Sequence, residues 1–164
     1  MANVFVYGTL LYDGVVEALL DKTLKNTPAV LQGYQRYKKE IPNGKSWGPA
    51  IIEEESAKVE GRIVFNLDER DLNIFDRFEL SADDAYERIK CQVSLEDGQE
   101  LEVFTYIAKE KVRPFLRGEW PQADFEEIGL EHYINERIPD LRKKWGIDKP
   151  SVILNNRVKA IPQP

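Results

Sequence analysis

Val59-Glu60-Gly61-Arg62-Ile63-Val64-Phe65-Asn66-Leu67 alternates: Val59, Gly61, Ile63, Phe65 and Leu67 fall on one face at a period of two, with Glu60, Arg62 and Asn66 on the other. That period belongs to a strand with one buried face. Asp68 breaks it and starts a short helix over Glu69 to Phe75. Downstream, Ile89, Cys91, Val93 and Leu95 alternate up to Glu96-Asp97-Gly98, and Leu101, Val103, Thr105 and Ile107 resume the period, the pattern of a hairpin.

Upstream, Asn3 to Tyr7 reads as a buried strand. Asp13 to Leu20 reads as a helix with Val15, Val16, Leu19 and Leu20 at helical spacing behind a capping aspartate. Ala29 to Tyr37 and Ala50 to Glu54 read as strands, separated by the turn-rich Pro42-Asn43-Gly44-Lys45-Ser46, and Glu53-Glu54-Glu55 as a solvated strand end. A long helix begins at Asp124, where Asp124 and Glu127 are placed as a capping box. Its stripe is Leu130, Ile134, Ile138, Leu141 and Trp145, and Gly146 stands where a terminator belongs. Residues 147–164 hold three prolines and an Asn-Asn pair, and read as a tail behind a domain of residues 1–146. Several twisted strands with two short helices and one long one predict an α+β fold, an antiparallel or mixed sheet curling into a small barrel with helices outside.

The chain has 164 residues, enough for one domain with its own core. At 42% apolar and 32% charged residues its composition is that of a globular protein. No apolar run reaches the length of a membrane span and no secretory leader is visible, so the expected address is the cytoplasm without membrane contact. One cysteine, Cys91, excludes an internal disulfide, and its phase with Ile89 and Val93 makes it a core residue rather than a nucleophile. A net charge of −6 argues against nucleic acid as partner, since that affinity rests on clustered Lys and Arg. A small molecule is the expected partner.

Two segments carry candidate chemistry. In Val4-Phe5-Val6-Tyr7-Gly8-Thr9-Leu10-Leu11 a buried strand stops at a glycine just before a helix start. If Gly8 turns with positive φ, consecutive amides of Gly8 to Leu11 converge into a nest for a small anion; otherwise Gly8 simply makes a turn. In Phe75-Asp76-Arg77-Phe78-Glu79 two phenylalanines could desolvate Glu79 while Asp76, Asp83 and Asp84 add like charge, both raising a carboxylate's pKa toward that of a general base; Arg77 pulls the other way. The alternative is a solvated glutamate at a helix end. His132 is the one histidine, lies opposite the stripe of the long helix, and offers neither a triad nor a metal cluster.

Taken together, Val6 to Leu11, Asp76 to Glu79, Tyr86-Glu87-Arg88, Gly118-Glu119-Trp120 and Asp124-Phe125-Glu126-Glu127 resemble the avirulence-induced-gene-like branch of the gamma-glutamylcyclotransferase superfamily over roughly residues 3 to 145. The resemblance implies a barrel enzyme that closes the gamma-glutamyl group of an amine or peptide into 5-oxoproline, with Glu79 as catalytic acid and base. It implies substrate binding by Val6, Tyr7, Gly8, Thr9, Leu10 and Leu11, and neither metal nor organic cofactor. Trp47 and Pro49 would wall the pocket, with Tyr86 and Arg88 nearby; Arg88 reads a carboxylate or pairs with Glu79 or Asp76. The spacing from Glu79 to Tyr86 is wider than the family pattern, so Ser81 to Ala85 are expected to add a turn beside the site. A carboxylate-binding module without turnover, or an interaction protein on the same barrel, stand beside the enzyme as alternatives.

Overall fold

The computed structural model of the protein describes residues 1–40, 48–80 and 84–147. Among them six strands form one sheet: β1 (Ala2–Val6), β2 (Asn26–Lys39), β3 (Pro49–Leu67), β4 (Tyr86–Leu95), β5 (Glu100–Ala108) and the short β6 (Leu116–Arg117). Their order is β3-β1-β5-β4-β2-β6, and β2 also pairs with β3, so all but β6 close into a barrel. β1 and β5 run parallel, and the other pairs are antiparallel. This is the expected α+β fold on a mixed barrel.

Phe5, Tyr7, Leu31, Ile51, Val59, Ile63, Val93 and Val103 fill the barrel, whereas Val4, Val6 and Val64 join the second core, beneath the helices. The alternation read in 59–67 holds as far as Phe65. Asn66 then adopts φ +62°, β3 carries an extra residue against β1 (Val4 opposite Val64, Ala2 opposite Leu67), and Leu67 swings to the helix side. The two strands expected at Ala50 to Glu54 and Val59 to Leu67 are one. β3 pairs with β2 from Pro49 opposite Lys38 to Val64 opposite Asn26, with a bulge beside Gly33 at φ +83°. The register jumps there from Glu53 opposite Tyr34 to Lys58 opposite Gln32, and the exposed Glu53-Glu54-Glu55 run gave no apolar alternation to join the two stretches. The turn-rich residues 42–46 lie outside the described residues.

Helix α1 (Asp13–Leu20) buries Val15, Val16, Leu19 and Leu20 as its spacing predicts. Asp13 does not cap it: Tyr12 holds the N-cap position, and the Asp13 carboxylate accepts a hydrogen bond from the Asn26 side chain at 2.8 Å. Helix α2 (Glu69–Leu80) is started by Asp68, whose carboxylate accepts from the Asp71 amide (2.8 Å) while Asp71 accepts from the Asp68 amide (3.1 Å), a reciprocal cap. Lys22 neutralises the fully buried Asp71 at 2.7 Å. The helix outruns the expected end at Phe75, because Phe78 continues its apolar face against Tyr133. Asp76 and Glu79 therefore stand in its last turns.

The C-terminal helix, residues 122–144, departs most from expectation. It starts at Gln122 behind Pro121, so Asp124 and Glu127 lie inside it and form no capping box. It contains two π-helical turns, Phe125–Gly129 and Tyr133–Arg137. Each π turn holds an extra residue and rotates the remainder of the helix about its axis. The buried line accordingly becomes Phe125, Gly129, Tyr133, Ile138 and Arg142, and of the expected stripe only Ile138 is fully buried. Phe125, which is not in the expected stripe, has no exposure and meets Tyr133 edge to face at 5.4 Å. Gly146 (φ +68°) ends the helix as expected, its amide and that of Ile147 returning to the Lys143 and Arg142 carbonyls. Among the described residues no helix is long and apolar enough to cross a membrane.

Candidate active site

β1 ends at Val6, and Tyr7 drops into the barrel. Its hydroxyl donates to the Tyr106 carbonyl at 2.6 Å. Burial, and then the charge of Glu79, hold the phenol well above its ordinary pKa, so it stays protonated. Gly8 comes next with φ −137°, not the positive φ that a nest at this glycine would require. The need for glycine has another cause. A Cβ on Gly8 would stand 2.5 Å from Cδ and 2.6 Å from Cγ of Pro49, inside their van der Waals radii. Tyr86 donates from its hydroxyl to the Pro49 carbonyl at 2.7 Å, with the Lys39 ammonium 4.4 Å from the Tyr86 ring centre, so Pro49 is held against Gly8 from behind.

Residues Thr9–Leu11 make a single 3-10 turn, in which the Leu11 amide donates to the Gly8 carbonyl at 3.0 Å. The amides of Gly8, Thr9 and Leu10 precede that bond and are not used inside the turn. Phe5, Val6, Tyr7, Gly8, Thr9, Leu10, Pro49, Glu79 and Tyr106 line one small, partly open cleft of about 20 Å³, so Glu79 shares it with the residues that carry those amides.

Glu79 is positioned through Asp76, three residues earlier and on the same face of α2. The Tyr106 hydroxyl donates to Asp76 Oδ1 and Arg88 Nη1 to Asp76 Oδ2, both at 2.7 Å, while the Arg88 guanidinium stacks 4.6 Å over the Phe104 ring. The last turns of α2 are thereby bolted to β4 and β5. Burial first, then the bond to Asp76, then the Asp76 and Glu79 charges keep the Tyr106 phenol far above its usual pKa, which fixes it as a donor. Glu79 itself is half-buried.

The structure thus brings together Glu79, Pro49 and Val6 to Leu10. Leu11 lies outside the cleft, its side chain facing a neighbouring crevice and its amide bonded to Gly8. Tyr86 acts behind Pro49 rather than at the wall, and Arg88 pairs with Asp76. Trp47 and Ser81 to Asp83 lie outside the described residues. Cys91 is half-buried against the barrel core, and burial pushes its thiol up to about 11. Among the described residues no group of His, Cys, Asp and Glu side chains could hold a metal ion.

Two participants had no signal in the linear sequence. Tyr106 could be placed only once β5 was known to lie beside β1. Arg36 on β2 donates from Nη1 to the Tyr7 carbonyl at 2.7 Å and from Nη2 to Gln122 at 3.2 Å, over the Trp120 ring at 5.2 Å. Its strand position alone does not point to residue 7.

Residues 4–122 match the family described as gamma-glutamyl cyclotransferase, AIG2-like. The chain is 38% identical over 132 residues to protein AIG2 C of Arabidopsis thaliana, covering 79% of this chain and 73% of that one, and 35% identical to AIG2-like protein D of the same plant, covering 82% and 85%. A solution structure of an Arabidopsis thaliana protein, 31% identical, superposes with a TM-score of 0.62 over 92% of this chain and 86% of that one. A structure described as gamma-glutamyl cyclotransferase shares the fold at 17% identity, with a TM-score of 0.59 over 87% of this chain and 98% of that one. The chain belongs to the AIG2-like gamma-glutamyl cyclotransferase family.

Proposed function

We propose that the protein is a gamma-glutamylcyclotransferase, converting a gamma-glutamyl amine or peptide to 5-oxoproline and the free amine. One observation carries the reading: Glu79 and the residues bearing the amides of Gly8, Thr9 and Leu10 line the same cleft.

The substrate carries its own nucleophile. Folding the gamma-glutamyl chain sets its α-amine against the side-chain carbonyl, and holding that geometry exploits the advantage of an intramolecular reaction. Glu79 takes a proton from the α-ammonium. The amine nitrogen then bonds to the side-chain carbonyl carbon, whose oxygen becomes an oxyanion facing the loop amides. As that carbon–oxygen double bond re-forms, the bond to the leaving nitrogen breaks and Glu79 gives its proton to that nitrogen; the second proton of the ring nitrogen then passes through the freed Glu79 carboxylate to the released amine, which departs as an ammonium and leaves the neutral lactam. Atoms, charge and oxidation state balance with one carboxylate relaying each proton, so the proposal calls on no cofactor. The flanking Phe5, Val6, Leu10 and Pro49 supply an apolar surround that strengthens these charge interactions.

The test is a turnover screen of gamma-glutamyl amino acids, gamma-glutamyl amines and gamma-glutamyl-lysine isopeptides, with 5-oxoproline measured directly. Release from at least one class is the expected result, and none from any class would refute the reading.

A further inference from the structure

Arg36 stands outside the candidate cleft. It lines a separate crevice with Gln35, Lys58, Val59, Glu60 and Glu119. From there it reaches through to a single backbone oxygen of the loop, the Tyr7 carbonyl, at 2.7 Å. The residue is half-buried, and that burial weighs against its charge. Both side-chain hydrogen bonds go to neutral carbonyl oxygens, of Tyr7 and of the Gln122 amide. The Glu119 and Glu60 carboxylates beside it favour the charge, and a stacked, two-point guanidinium is a rigid way to hold one peptide plane.

That plane is the Tyr7–Gly8 peptide. It is trans, so its N–H points opposite to its C=O. With the carbonyl held toward Arg36, the Gly8 N–H is turned away from Arg36, and Gly8 lines the cleft it shares with Glu79. A cation on the carbonyl also polarises the peptide and makes its N–H a stronger donor. We propose that Arg36 is the positioning residue of the site, orienting and polarising the Tyr7–Gly8 peptide so that the Gly8 N–H serves the bound anion or oxyanion. The anchoring continues behind it: Gln122 donates to Glu126 at 3.3 Å, and Glu126 receives the Tyr12 hydroxyl at 2.7 Å, so the loop is held at Tyr7 and again at Tyr12.

The inference rests on the cyclotransferase reading for its kinetic consequence but not for its geometry, and the experiment separates the two. Tyr7-Gly8 is the one Tyr-Gly pair in the chain, so protein labelled with carbonyl-13C tyrosine and 15N glycine gives a single correlated NMR signal for that peptide. In Arg36→Met the Tyr7 carbonyl resonance should move, and the shift of the Gly8 amide on titration with 5-oxoproline should shrink. kcat/KM should fall by about tenfold or more, less than loss of a whole oxyanion donor. Arg36→Lys, which can reach one acceptor but not both, should fall between, and it carries the test should Arg36→Met not fold. Unmoved Tyr7 and Gly8 resonances in a folded variant, or kcat/KM within twofold of the parent, would overturn the proposal. If the parent protein releases no 5-oxoproline at all, the functional reading fails and the two resonances still decide the role of Arg36.

Discussion

The Pro49 ring lies so close to Gly8 that a Cβ there would be 2.5 Å from Cδ and 2.6 Å from Cγ of the proline. The contact joins the end of β1 to the start of β3 and sets one wall of the cleft. Gly8→Ala should therefore destabilise the fold by about 1–3 kcal/mol, as overpacking does. Pro49→Ala in the same chain should restore most of that loss, because it removes the two atoms in conflict. Denaturant unfolding of the single and double variants measures the coupling. Additive effects of the two substitutions would show that Gly8 is needed for some other reason.

Glu79→Gln keeps shape and one hydrogen-bonding oxygen but cannot accept the ammonium proton. Turnover should drop by a factor on the order of 10² or more, with binding of 5-oxoproline nearly unchanged. The melting temperature should hardly move, since a half-buried carboxylate is more a cost to folding than a support. Near-parental 5-oxoproline formation by the folded variant would remove Glu79 from the mechanism.

Tyr106→Phe deletes the hydroxyl that donates to Asp76 and leaves that carboxylate on Arg88 alone. A stability loss of about 1.5–3 kcal/mol is expected, as for a hydrogen bond to a charged group. Because Asp76 fixes the turn that presents Glu79, kcat should fall more than KM rises. A change confined to stability would mean that Tyr106 holds the helix without setting the base.

Asp84, shortly before β4, is gripped by Lys109 and Lys111, which hold its carboxyl down at about 2 against an ordinary 3.8. A lowered folded-state pKa means stabilisation that is complete above pH 3.8 and is lost as pH falls through 2. Melting curves of the parent and Asp84→Asn should differ near neutral pH and converge as the pH is lowered through that window. The carboxyl is solvent-exposed, so the difference should be small and should shrink in high salt.

The sequence by itself determined most of the strands, though β3 read as two and β6 was not seen, most of the helices, the α+β class and the two segments that carry the candidate chemistry. It could do so because those signals are local: a period of two over 59–65, the capping aspartate at 68, apolar spacing in 15–20, and the Tyr-Gly-Thr and Asp-Arg-Phe-Glu motifs with their neighbours. Only the tertiary structure decided why Gly8 is glycine, that Leu11 leaves the cleft, that Arg88 serves Asp76, that Tyr106 lines the cleft and that Arg36 binds the Tyr7 carbonyl. Each of these depends on atoms brought together by strand pairing: Pro49 from β3, Tyr106 from β5, Arg36 from β2. The C-terminal helix shows the same limit in another form. Its heptad-like spacing called for one buried stripe, but the aromatic cluster of Trp120, Phe125, Tyr133 and Phe78 is accompanied by two π turns that rotate the helix, and no residue-by-residue period records a rotation set by what the helix packs against.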